Sequence, residues 1–213
     1  MSMVFTLNLQ DKNYPAILKE IHSPPKELYV KGKILPQEKA IAIVGTRNCS
    51  DYGKQVAYDF SSKLAKLGIT IVSGLAQGID TCAHQAALEA KGRTIAVLGT
   101  GINNIYPRFN TKLAEEISKN GAVISEYEPE ANGTKYTFPQ RNRIISGLSL
   151  GTIVIEAPER SGALITADFA MEQNREVFII PGPIYSENSK GTNQLIKQGA
   201  KLITNIEDVL ENL

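Results

Sequence analysis

From Ala40 to the C-terminus, short runs of apolar residues alternate with longer segments of helical period, and this alternation restricts the possible folds more than any other feature. The runs lie in AIAIVGT, GITIVSG, RTIAVLGT, GAVISEY, GTIVIEA, EVFIIPG and KLITN. They place Val and Ile on consecutive positions without polar alternation, the pattern of strands covered on both faces. The segments between them supply the cover: the spacing predicts helices over 52–66, 79–90, 111–119, 139–148 and 165–173. Strand and helix in turn specify an α/β fold, a doubly wound, mostly parallel sheet with helices on both faces.

The first residues are different in kind. They hold four of the ten prolines (Pro15, Pro24, Pro25 and Pro36) and a single plausible helix near 16–21. Residues 1–38 therefore read as an N-terminal segment packed on the core, beside the sheet, and 39–213 as the main domain. No apolar run approaches the roughly 18 residues that cross a bilayer. Charges and prolines also interrupt the first 36 residues, where a signal peptide needs an apolar stretch, so the expected location is the cytoplasm, without membrane contact. Cys49 and Cys82 stand far apart with no CxxC, which argues against a disulfide framework or a zinc site. With 23 Lys plus Arg against 22 Asp plus Glu, a generally polybasic binder is excluded. A polyanion would have to be met by a local patch.

In such sheets ligands bind beyond the carboxyl ends of the strands. There the sequence reads GTRNCSDYG, SGLAQGID, GTGINNIYP, EAPERSGALIT and PGPIYS. Glycine lets backbone N–H groups approach a ligand and a following helix start adds partial positive charge, so Gly45, Thr46, Gly78 and Thr166 are candidate phosphate-loop residues. The competing reading is tight strand-to-helix turns that need glycine for themselves. A dinucleotide cofactor is not expected: GTRNCS is not GxGxxG, and Ser73 and Gly74 end the second run where a ribose-binding acid would stand. GxxxxGK[ST] is missing as well, so no cofactor is assigned. Ser161 is not in GxSxG and reads as a helix cap, Asp80 and His84 at i and i+4 are too few to hold a metal, and Cys49 reads as an ordinary loop cysteine.

One stretch stands apart. KYTFPQRNRIISGLS, residues 135–149, sets Lys135, Arg141 and Arg143 around Tyr136 and Phe138, and no Asp or Glu occurs between Ala131 and Ile155. Cations along a backbone path with aromatic faces for bases are what a binder of single strands requires. The alternative is a solvated basic turn leading into a helix, with Phe138 as a hydrophobic staple.

Read in order, IVGTRNCSDYG, VSGLAQGIDTCAHQAAL, VLGTGINNIYP, ISEYEP, FPQRNRIISGLS, SGALITADFAMEQNREVFIIPG and GTNQLIKQGAKLI resemble the DNA processing protein A family, also called Smf, of bacterial natural transformation. The resemblance implies an extended Rossmann-like core that binds single-stranded DNA, protects incoming strands and helps load the RecA recombinase, without being an enzyme. It also implies a homodimer through GTNQLIKQGAKLI, with Leu195 and Ile196 offering apolar surface. Carried onto matching positions, Arg47 would contact phosphate, Lys135 and Phe138 would flank the strand, and the loops of Gly74 and of Ser161 and Gly162 would line the pocket. Ser50, Arg141, Asn142 and Arg143 fall in the same motifs and complete the candidates. Arg141 and Arg143, two apart on one helix, cannot share a face, and Arg143 is the one favoured for DNA. The N-terminal helical module and the C-terminal winged-helix-like domain of some relatives are not expected in this sequence.

The rival readings are a nucleotide-binding protein and an enzyme. The loops also resemble those of phosphoribohydrolases acting on nucleoside monophosphates, whose PGGxGTxxE carries a catalytic glutamate. Here PERSGALITA puts Thr166 at that place, and hydrolysis would lack its general acid or base.

Overall fold

The computed structural model describes residues 3–213. Its centre is a nine-stranded sheet in the order β1-β2-β6-β5-β4-β3-β7-β8-β9. The strands are β1 Val4–Asn8, β2 Glu27–Gly32, β3 Ala40–Val44, β4 Thr70–Ser73, β5 Thr94–Val97, β6 Ala122–Ser125, β7 Gly151–Val154, β8 Glu176–Ile179 and β9 Lys201–Leu202. From β3 onward every pairing between consecutive neighbours is parallel. The seven apolar runs are thus the seven parallel strands, and β3 through β7 are buried along their whole length.

Successive residues of a strand face opposite sides, so each of these strands feeds two cores. Ile41 and Ile43 of β3 face Phe60 and Leu64 of helix α2 (Asp51–Lys66) and Ala83 of α3 (Ile79–Glu89). Ala42 and Val44 face the other way, toward Ile144 and Ile145 of α5 (Thr137–Gly147) and Ala163 and Ala167 of α6 (Gly162–Glu172). Helix α4 (Thr111–Asn120) covers β5 and β6 with Leu113 and Ile117. The short α7 (Lys190–Lys197) and α8 (Glu207–Leu210) close the far end. α5 begins two residues earlier than its sequence suggests, because Pro139 sits in the first turn, where its missing N–H costs nothing.

The N-terminal segment corrects one expectation. Besides the anticipated helix α1 (Ala16–Lys19), it contains two strands, and these lie in the sheet rather than beside it. β1 pairs antiparallel with β2, and β2 antiparallel with β6, extending the edge. α1 then folds onto α5, where Gly147 leaves room for Leu18 and Ile21; a Cβ there would stand 2.8 Å from Leu18. Leu195 packs into the core instead of offering surface, since the exposed flank of α7 is its charged one. No described helix is long and apolar enough to cross a membrane.

Candidate nucleic-acid interface

The strand order reverses between β3 and β7, where successive crossovers leave to opposite sides and part the loops. A groove of about 510 Å³ opens there. One wall is the turn after β3, Gly45 to Arg47; the other is the turn after β7, Pro158 to Gly162. α5 and its approach, from Lys135 to Asn142, form the base, with Asp80 from α3 and Tyr106 from the turn after β5. Among the described residues, four cationic side chains line it (Arg47, Lys135, Arg141 and Arg160) against one carboxylate, that of Asp80.

Arg141 is the floor. It is 5% exposed; its Nη1 donates to the carbonyls of Gly74, at 2.8 Å, and of Val97, and its Nε to Asn142 Oδ1 at 3.1 Å. Among the described residues Nη2 has no hydrogen-bond partner. Burial pulls the guanidinium down to about 10, opposed by the carboxylate of Asp80, so it remains charged at neutral pH. Asp80 accepts from the N–H groups of Gly74 at 3.1 Å and Ala76 at 3.3 Å, while burial pushes its carboxyl up against the pull of Arg141. Asn142 donates to the carbonyl of Gly162 at 3.1 Å, tying α5 to the start of α6. Gly74 is needed for this floor: a Cβ would stand 2.6 Å from Arg141 Nη2.

The cations of the walls are exposed where that of the floor is buried. Arg47, Lys135 and Arg160 form no ion pair among the described residues. Arg47 stands over the ring of Phe138, 6.0 Å from its centroid, and Lys135 over Tyr136 at 5.0 Å. Phe138 is half-buried, with Tyr106 tilted against it at 5.5 Å between centroids. Gly99 and Gly133 make way for its ring. A smaller recess of about 50 Å³, lined by Gly74, Arg47 and Tyr106 among others, continues behind it.

Of the glycine loops, the one opening α6 faces the groove most freely. The hydroxyl of Ser161 accepts from Ala163 N–H at 3.3 Å as the helix cap, and a Cβ added at Gly162 would meet nothing within 4 Å. Thr166, one turn in, is buried with its hydroxyl 3.5 Å from the Gly162 carbonyl, and lines the groove with Gly45 and Thr46. Gly78 lies outside the groove. At φ +87°, it lets the Arg47 main chain pass where a Cβ would stand 2.6 Å from the Arg47 carbonyl.

Two further sequence candidates are placed elsewhere. Ser50 is turned onto Glu156, donating its hydroxyl at 2.5 Å and its N–H at 2.9 Å. Arg143 points away from the groove, where Glu126 receives its Nη1 at 2.7 Å and Nη2 at 2.6 Å and the Ser23 carbonyl its Nε at 3.1 Å. The preference for Arg143 over Arg141 is thereby reversed: Arg141 reaches the groove and Arg143 takes the neighbouring carboxylate. Burial pushes the Cys49 thiol up, away from reactivity. His84 is buried, with Nδ1 paired to Thr94 Oγ1 at 2.6 Å. Sequence reasoning missed Arg160 and Tyr106. Both stand in glycine loops that were picked out, but Arg160 follows Glu159 and reads as neutral, and Tyr106 is separated in sequence from every cation it joins.

A doubly wound fold with a cationic, aromatic groove at its switch point defines the class, and comparison with known proteins gives the family. Residues 5–213 match the DNA recombination-mediator protein A family, to which this chain belongs. It is 48% identical over 210 residues to the DNA processing protein DprA of Bacillus subtilis, covering 98% of this chain and 71% of that protein. The X-ray structure of DprA from Streptococcus pneumoniae superposes with a TM-score of 0.93 at 45% identity, over 98% of this chain and 74% of the other. DprA from Helicobacter pylori, whose structure describes a single-stranded DNA binding mode, superposes at 0.88 with 34% identity, over 99% and 97%.

Proposed function

We propose that this chain binds single-stranded DNA along the groove between the β3 and β7 turns. The observation that carries the reading is Arg141: a buried guanidinium with a free Nη2 at the base of a groove whose other three cations are unpaired. Asp80 offsets part of this charge without a direct ion pair, and the free Nη2 is left to donate to an anion of the ligand. Phosphates would meet Arg141, Arg47, Lys135 and Arg160 and the open start of α6 at Ser161 and Gly162. Phe138 and Tyr106 offer rings to bases, which stack without sequence preference. The family and the binding mode described for the H. pylori relative support this choice of ligand.

In this reading the chain works in DNA uptake, protecting entering strands in the cytoplasm and passing them to a RecA-type recombinase. It does so as a dimer, for which the exposed Leu202 on edge strand β9 replaces Leu195 as the candidate contact. It acts without catalysis, because Thr166 occupies the place of a hydrolytic glutamate and its hydroxyl faces a backbone carbonyl.

The test is titration with oligothymidylate and with duplex of equal length at two salt concentrations. Tighter binding of the single strand is expected, with Phe138→Ala weakening it by about 1 to 3 kcal/mol. Equal affinity for duplex, or release of free base from a nucleoside monophosphate, would overturn the reading.

A further inference from the structure

Glu156 follows β7 by two residues, next to the groove, yet is 3% exposed and does not line it. Its carboxylate sits instead at the start of α2. Oε2 accepts the N–H of Ser50 at 2.9 Å and Oε1 the Ser50 hydroxyl at 2.5 Å, while the same hydroxyl oxygen accepts Gly53 N–H at 3.1 Å. The main-chain carbonyl of Glu156 accepts Thr46 N–H at 2.7 Å. Asn188 donates to the carbonyl of Asn48 at 2.9 Å and to Glu156 Oε2 at 3.5 Å. The turn that carries Arg47 is therefore anchored at both ends by one residue from the chain after β7.

The start of a sixteen-residue helix is a place for an anion, through its free N–H groups and its partial positive charge. Here the anion is built in. Gly53 fits the same logic, because a Cβ at that position would run into the Glu156 carboxylate. Ser50 and Gly53 of the SDYG segment thus both answer to Glu156.

We infer that Glu156 is an internal substitute for a phosphate, closing the α2 terminus to the nucleic-acid backbone and positioning Arg47 for it. This rests on the groove reading above. Phosphate is left the open α6 start, the floor and the Arg47 wall. Glu156 touches no ligand; it acts through the turn it holds.

A double-mutant cycle tests the idea, with binding to oligothymidylate followed by fluorescence anisotropy across a salt series. Arg47→Ala is expected to weaken binding about tenfold, the size of one charge-assisted hydrogen bond, and to lower the salt slope by about 0.7. Glu156→Ala should do nearly the same without removing any DNA contact, and should add almost nothing when combined with Arg47→Ala. Glu156→Gln, which keeps one acceptor for Ser50, should recover most of the loss. If Glu156→Ala fails to fold, Asn188→Ala gives the same cycle with a smaller first step. Additive losses, or Glu156 and Asn188 variants that bind like the parent while Arg47→Ala does not, would sink the positioning role alone. An Arg47→Ala protein that binds like the parent removes the groove reading and the inference together.

Discussion

Arg141 and Arg143 stand two residues apart on α5, about 200° around the helix, and both are buried. On one face, Arg141 meets the carbonyls of Gly74 and Val97 and keeps one nitrogen free above the floor of the groove. On the other, Arg143 meets both oxygens of Glu126 and locks α5 to the N-terminal segment through Ser23. Carbonyls orient the Arg141 cation while Asp80 offsets its charge without bonding it, whereas Glu126 bonds Arg143 through both oxygens. One face of α5 therefore holds charge ready for a ligand, and the other spends its charge on the fold.

The most disruptive way to break this contrast is Arg143→Ala. It strands Glu126, 12% exposed at its side chain, without its partner, and should cost about 3 kcal/mol of stability. Urea unfolding measures the loss, and the affinity of the folded protein for oligothymidylate should stay within about twofold of the parent, a difference of under half a kcal/mol. On the other face the effects exchange places. Arg141→Gln should weaken oligothymidylate binding by about 2 kcal/mol, roughly thirtyfold, as removal of a charged hydrogen-bond donor does.

Acid sharpens the comparison from beneath. His84 is fully buried, and burial first, then the Arg141 charge, lowers its pKa from 6.5 to about 3. A group with a depressed folded value contributes stability that is complete above its unfolded value and is lost as pH falls below about 6.5 toward 3. Asp80, pushed up by burial, works with the opposite sign, so the informative quantity is a difference between variants. From pH 7 to pH 5 the parent should lose about 2 kcal/mol more than His84→Gln, read from denaturant midpoints at each pH. The smallest effect belongs to the exposed wall: Lys135→Ala and Arg160→Ala should each reduce the salt dependence of binding by about 0.7, with little change in stability.

The parallel strands were legible because burial on both faces leaves a continuous apolar run, a signal contained within each segment. β1 and β2 were not, for only Leu7 of β1 is buried and eighteen residues with their own helix separate the two strands, so no hairpin turn marks them. The site divides similarly. That Arg141 and Arg143 could not share a face followed from helical geometry, but which one faced the groove depended on Glu126, supplied by the chain after β6. Ser50 stood among the ligand candidates, and only Glu156, brought to it from the chain after β7, shows where its hydroxyl goes. Local periodicity specifies elements; pairings between distant segments decide which polar side chains remain available.

The pairing of Ile41 in β3 with Gly151 in β7 brings the two walls of the groove together from distant parts of the chain. Loop-closure entropy opposes such a contact until much of the intervening sheet is in place, so the groove forms with the completed fold and not with either half. Oligonucleotide binding is consequently a reporter of global folding, and a saturating strand should raise the unfolding temperature of the whole domain cooperatively. A fragment ending before β7, however well its remaining strands assemble, has the Arg47 wall and nothing to face it.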